Sequence, residues 1–67
     1  MELRIKLKEI LSIRDMTQKQ LAELTGLRAN AISEMVNNQR QTINKQHLAK
    51  VCEVLDIKDV DEILEFK

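Results

Sequence analysis

Apolar residues return along this chain at intervals of three and four, in short bursts separated by polar turns. Leu7, Ile10 and Leu11, with Leu3 before them, are spaced to line one face of a first helix and leave Lys6, Lys8 and Glu9 outside it. The opening also alternates, with Met1, Leu3, Ile5 and Leu7 apolar, so a short N-terminal strand ahead of that helix stays open as a second reading.

The second burst carries its own start and stop signals. Thr17 is placed to cap a helix and Gln20, three positions on, to return a hydrogen bond to the cap backbone. Leu21, Ala22 and Leu24 supply the inner face. Gly26, the single glycine, ends the helix because it accepts a left-handed backbone at little steric cost.

After Leu27 the pattern resumes at once. In a helix beginning near Ala29, the residues Ile32, Met35 and Val36 point inward, whereas Arg28, Asn30, Ser33 and Glu34 fall on outward or boundary phases. Asn37 and Asn38 suit its end, since asparagine tolerates the left-handed region. A fourth helix follows over "NKQHLAKVCEVL", capped by Asn44, with Leu48, Val51, Cys52 and Leu55 inside. The segment "DVDEILEF" predicts a fifth, short helix, with Asp59 and Glu62 as a capping box ahead of Ile63 and Leu64. The sum is one all-α, five-helix domain over residues 1–67, with no repeat or linker to divide it.

At 67 residues the chain has room for one core of marginal size. A single cysteine precludes an internal disulfide, and no Cys/His pairing offers a zinc staple, so the apolar side chains must hold the fold. No apolar run reaches the length of a membrane span, which makes a soluble cytoplasmic protein the expectation. Net charge is zero, with 11 basic and 11 acidic side chains. The distribution is uneven: residues 1–50 carry nine Lys/Arg against five Asp/Glu, and residues 51–67 carry two against six. A basic body with an acidic tail permits one positive face despite the zero total.

Two short helices around a tight glycine turn form a helix-turn-helix pattern, with Ala22 small enough for a close crossing and Leu21, Leu27 and Ile32 beneath it. The crossing leaves the first turn of the Ala29–Val36 helix projecting, as a reader of the DNA major groove requires.

The run "MTQKQLAELTGLRANAISEMVNN" resembles the core of the Cro/C1-type, or lambda-repressor-like, helix-turn-helix family: Thr, Gln, an apolar-Ala pair, Gly, then an Ile-containing recognition helix ending in Asn. The likeness spans about Leu7 to Phe66, and the "LRIKL" opening is similar to a small-repressor branch with short terminal strands. The resemblance implies that Gln18 positions the domain on the DNA backbone. It implies that Arg28, Ala29, Asn30, Ser33 and Glu34 face the groove, and that Asn37, Asn38 and Arg40 lie where the following loop approaches phosphate. Side-chain chemistry agrees: arginine pairs with guanine, asparagine with adenine, glutamate accepts from cytosine, and an alanine meets a thymine methyl. The chain departs from the family pattern at Glu34, where a basic or amide residue is frequent, and at Asn38, where glycine is frequent.

His47 lacks partners for a metal or catalytic site and is expected to be exposed, Cys52 reads as a small core or interface residue, and the acidic group Asp56, Asp59, Asp61 and Glu62 lacks the spacing of a calcium loop. No nucleophile with base and no glycine-rich phosphate loop is present, so neither enzyme activity nor a cofactor or small-molecule ligand is expected. The leading expectation is sequence-specific binding of double-stranded DNA by a small transcriptional regulator, a repressor by resemblance. Self-association, on DNA if not before it, would draw on Val60, Ile63, Leu64 and Phe66 with Leu3 and Ile5. The alternative is a protein-interaction module, such as an antitoxin-like or regulatory subunit, motivated by Glu34 and the zero net charge.

Overall fold

In a computed structural model of the chain, which describes residues 2–39 and 42–67, the two ends of the sequence pair with each other. Strand β1 (Leu3–Ile5) lies antiparallel to β2 (Leu64–Phe66), with Leu3 opposite Phe66, Arg4 opposite Glu65 and Ile5 opposite Leu64. Between them run α1 (Leu7–Ile13), α2 (Gln18–Thr25), α3 (Ala29–Asn37) and α4 (Lys45–Leu55).

The N-terminal alternation therefore forms a strand, and the fifth helix is absent among the described residues. Only a 3₁₀ turn, Val60–Glu62, precedes β2, and Asp59 makes no side-chain cap there. The local capping signal is overridden by a longer-range gain. Ile63 inserts into the core with no exposed surface, its carbonyl accepts from the Lys6 N–H at 2.6 Å, and the following residues then complete a ladder with β1. A lone helix this short has no comparable source of stability.

The core is assembled from β1, the four α-helices and Ile63, which lies between the 3₁₀ turn and β2. Leu7, Leu21, Ile32, Val51, Leu55 and Ile63 are fully buried, with Ile5, Leu11 and Val36 close behind. At about 1.5–3 kcal/mol for each such side chain, they carry a domain that has no covalent staple. Ile10, Met16, Leu27, Met35, Leu48 and Cys52 pack around them. Leu24 departs from expectation: it is 58% exposed, because the inner stripe of α2 is narrow and its second buried place goes to Thr25.

Each helix end has a local cause. Gly26 takes φ 74° after α2, Asn38 takes φ 52° after α3 and Asp56 takes φ 56° after α4, all in the left-handed region that stops a helix. Asn44 caps α4 by accepting from the N–H groups of Gln46 and His47 at 3.0 and 3.1 Å. At the sheet, Arg4 bonds Glu65 at 3.0 Å and Glu9 at 3.4 Å, so part of the acidic tail is neutralised by the basic N-terminus.

Candidate nucleic-acid interface

The turn between α2 and α3 is built by two residues, one of them unforeseen. Gly26 supplies the left-handed backbone, and a Cβ there would meet nothing within 4 Å, so the glycine answers to dihedral angle and not to crowding. Thr25 is buried, donates its hydroxyl to the Leu21 carbonyl at 2.8 Å and accepts from the Leu27 N–H at 3.2 Å. One hydroxyl thus satisfies the end of α2 and fixes the chain entering α3. Sequence reasoning missed Thr25; the signal was a β-branched hydroxyl residue four after Leu21 and just ahead of the turn glycine.

Beyond the turn, α3 begins with Arg28 at the cap position in extended conformation and with no side-chain hydrogen bond to the helix. The intrahelical ladder starts only with the Ile32 N–H to the Arg28 carbonyl at 3.2 Å, so the first-turn N–H groups precede it. Arg28, Ala29 and Asn30 are all exposed around this opening. A helix start with no side-chain cap presents donors and the positive end of the helix dipole outward.

Along α3 the buried Ile32 and Val36 define one face, and Asn30, Ser33 and Asn37, at i, i+3 and i+7, define the opposite one. The Asn37 amide donates to the Ser33 hydroxyl at 3.2 Å, which joins two of these groups on the outer surface. Glu34 borders this stripe and is half-buried. Gln18 stands exposed at the first residue of α2, a helix that packs directly against α3.

The structure thus leaves Arg28, Ala29 and Asn30 exposed at the start of α3 and sets Asn30, Ser33 and Asn37 along the helix face opposite Ile32 and Val36. Asn38 is set apart from them: its side-chain amide faces β1, where it accepts from the Ile5 N–H at 2.7 Å and donates to the Ile5 carbonyl at 3.0 Å. Arg40 lies outside the described residues.

Other chemistry-bearing groups have local roles. His47 is half-buried, not exposed, with its backbone N–H held by Asn44. Burial pushes the Cys52 thiol up, and the nearby negative charge of Glu62 adds to the effect. Among the described residues, no group of three or more His, Cys, Asp or Glu is placed to hold a metal ion, and no helix is long and apolar enough to cross a membrane.

Compared with known proteins, residues 6–67 match a family model described as a Cro/C1-type HTH DNA-binding domain. Neither a curated protein nor a solved structure matches the chain.

Proposed function

We propose that this chain, which belongs to the Cro/C1-type helix-turn-helix DNA-binding family, is a small transcriptional regulator that binds a specific duplex sequence and acts by occupying it. The observation that carries the reading is the open start of α3, where exposed Arg28 and Asn30 flank a first turn with no side-chain cap on a helix otherwise fixed in the core. Arg28 and Asn30 read base edges, Ala29 offers apolar contact, and Ser33 and Asn37 extend the polar stripe along the groove. Gln18 sets the register on the phosphate backbone. Repression follows from occupancy where the site overlaps a promoter.

Binding is tested by titrating the protein against DNA upstream of its own gene and a shuffled duplex across a range of salt. A clear preference for the upstream duplex at moderate salt is expected, and equal affinity for both would refute specific binding. In the folded double variant Arg28→Ala, Asn30→Ala the preference should fall by at least about tenfold, since each good bidentate pair contributes about 1–3 kcal/mol of discrimination. Arg40→Ala should instead weaken both duplexes and flatten the salt dependence.

Two chains occupy one palindromic site, with recognition helices about 34 Å apart. The apolar surface for that pairing is Leu3, Val60 and Phe66, all exposed, whereas Ile5 and Ile63 are consumed by the core and Leu64 is half-buried. Sedimentation at micromolar protein should show little dimer without DNA and two chains per palindromic duplex. One chain saturating the palindrome at full affinity would defeat the pairing.

A further inference from the structure

We propose that Asn38 is a positioning residue for DNA recognition: its side-chain amide clamps the C-terminal end of α3 to the backbone of β1, and this bridge holds the outer face of α3 in reading position. The proposal rests on the DNA-binding reading of α3.

The bridge is a two-point bond to one residue. Ile5 N–H donates to Asn38 Oδ1 at 2.7 Å, and Asn38 Nδ2 donates to Ile5 O at 3.0 Å. Ile5 thus has both its N–H and its carbonyl paired, as by a hydrogen-bonded partner residue in an antiparallel ladder, here by one side-chain amide. It falls on the edge of β1 that β2 does not use. The N–H groups of Glu2 and Lys6 bond Lys67 and Ile63, so Ile5, out of phase with them, turns its N–H and carbonyl the other way. Ile5 is itself a core residue, 7% exposed, so those two groups sit where an unmade hydrogen bond is costly.

Asn38 does two separable jobs. Its backbone adopts φ 52° and ψ 42° and ends α3, which glycine would do as well or better. Glycine has no amide to reach Ile5. The side chain is therefore needed for the bridge and not for the helix stop.

The bridge also lies where positional error matters. It attaches to the residue directly after Asn37, on the same helix end as the Ser33–Asn37 hydrogen bond. Hydrogen bonds to base edges tolerate displacements of only a few tenths of an ångström. A loosened end of a short helix exceeds that readily. The terminal ribbon, remote from the first turn of α3 in the chain, thereby becomes part of the recognition apparatus.

The test uses a duplex that the unmodified chain selects from a randomised pool, and a variant of that duplex altered at one base pair. Measurements are made at a low temperature where circular dichroism shows every protein folded. For Asn38→Gly the ratio of the two affinities should fall about tenfold, with the slope of log affinity against log salt unchanged. A ratio preserved within about twofold would overturn the proposal. So would an equal loss on both duplexes with a salt slope lower by about one, which marks a direct phosphate contact.

A second chain, synthesised with an ester in place of the Arg4–Ile5 peptide bond, removes the Ile5 N–H and leaves Asn38 intact. It should lose discrimination in the same direction, and it also serves if Asn38→Gly does not fold. Full discrimination in the ester chain would show that Asn38 acts other than through Ile5, and the proposal would fall. If the unmodified chain prefers no duplex, it is the DNA-binding reading that fails, and the clamp is judged by amide exchange and chemical shifts. Exchange at Ile5 at least about tenfold faster in Asn38→Gly, with shifted Ser33 and Asn37 amide resonances, supports the anchoring. Unchanged exchange and shifts refute it.

Discussion

α2 and α3 pack against each other, and their starts are finished in opposite ways. At α2 the Thr17 hydroxyl accepts from the Gln20 N–H at 3.0 Å, and the Gln20 side chain accepts from the Thr17 N–H at 2.8 Å. The helix closes its own end. At α3 the cap residue is Arg28, whose side chain bonds nothing in the helix. Arginine is a poor cap by the preferences that make threonine a good one. The same chain applies the capping rule to one helix of the pair and leaves it unused on the next, and the unused end is ringed by exposed Arg28 and Asn30. α1 also starts without a side-chain cap, at Lys6, but Lys6 is half-buried and its N–H and ammonium are both bonded to the C-terminal segment, whereas the residues at the start of α3 are exposed.

Both helix starts rest on the same core. Leu21 is fully buried in the core that α2 and α3 share, and Leu21→Ala is expected to cost about 2–5 kcal/mol, comparable to the whole stability of a domain this small. A thermal melt by circular dichroism should lose its cooperative transition or shift down sharply, and both helix starts should fail together.

A sharper probe gives α3 the cap it lacks. Arg28→Ser is expected to stabilise the folded chain by about 0.5–1 kcal/mol while cutting affinity for the cognate duplex about tenfold or more. Urea unfolding and a binding titration on one preparation read the two effects. Opposite signs support the contrast, and a variant that gains stability without losing affinity would remove Arg28 from the recognition surface.

The reverse experiment opens α2. Thr17→Ala should cost about 1 kcal/mol in urea unfolding, through loss of the capping box, and leave the ratio of cognate to altered-duplex affinity unchanged. A changed ratio would mean that the start of α2 takes part in reading sequence.

The smallest effect is at Glu34, beside the polar stripe. Glu34→Gln is expected to raise affinity for a shuffled duplex two- to threefold at low salt, roughly the scale of one like charge near phosphate, and the gain should vanish at high salt. An electrophoretic shift series at two salt concentrations is sufficient to see it.

The elements around the turn were legible because their causes are close in sequence. Thr17 and Gln20 lie within one helical turn of each other, Gly26 needs only its own backbone freedom, and the apolar spacing of Ile32 and Val36 sets the outward phase of Asn30 and Ser33. Tertiary structure decided the rest. "DVDEILEF" carried a valid capping signal and still became a 3₁₀ turn and a strand, because its partner β1 lies at the far end of the chain. Asn38 read equally well as a helix stop or a loop group near phosphate; only the fold brings it to Ile5, 33 residues away. Leu24 had the composition of a core residue, but Thr25 holds the second buried place on α2. The caps at Thr17 and Asn44 and the stop at Gly26 rest on interactions within four or five residues, and there the order of residues was enough. Strand pairing, the orientation of a side-chain amide and the choice among apolar residues for a limited core depend on which distant segments meet, and that depends on the packing of the whole chain.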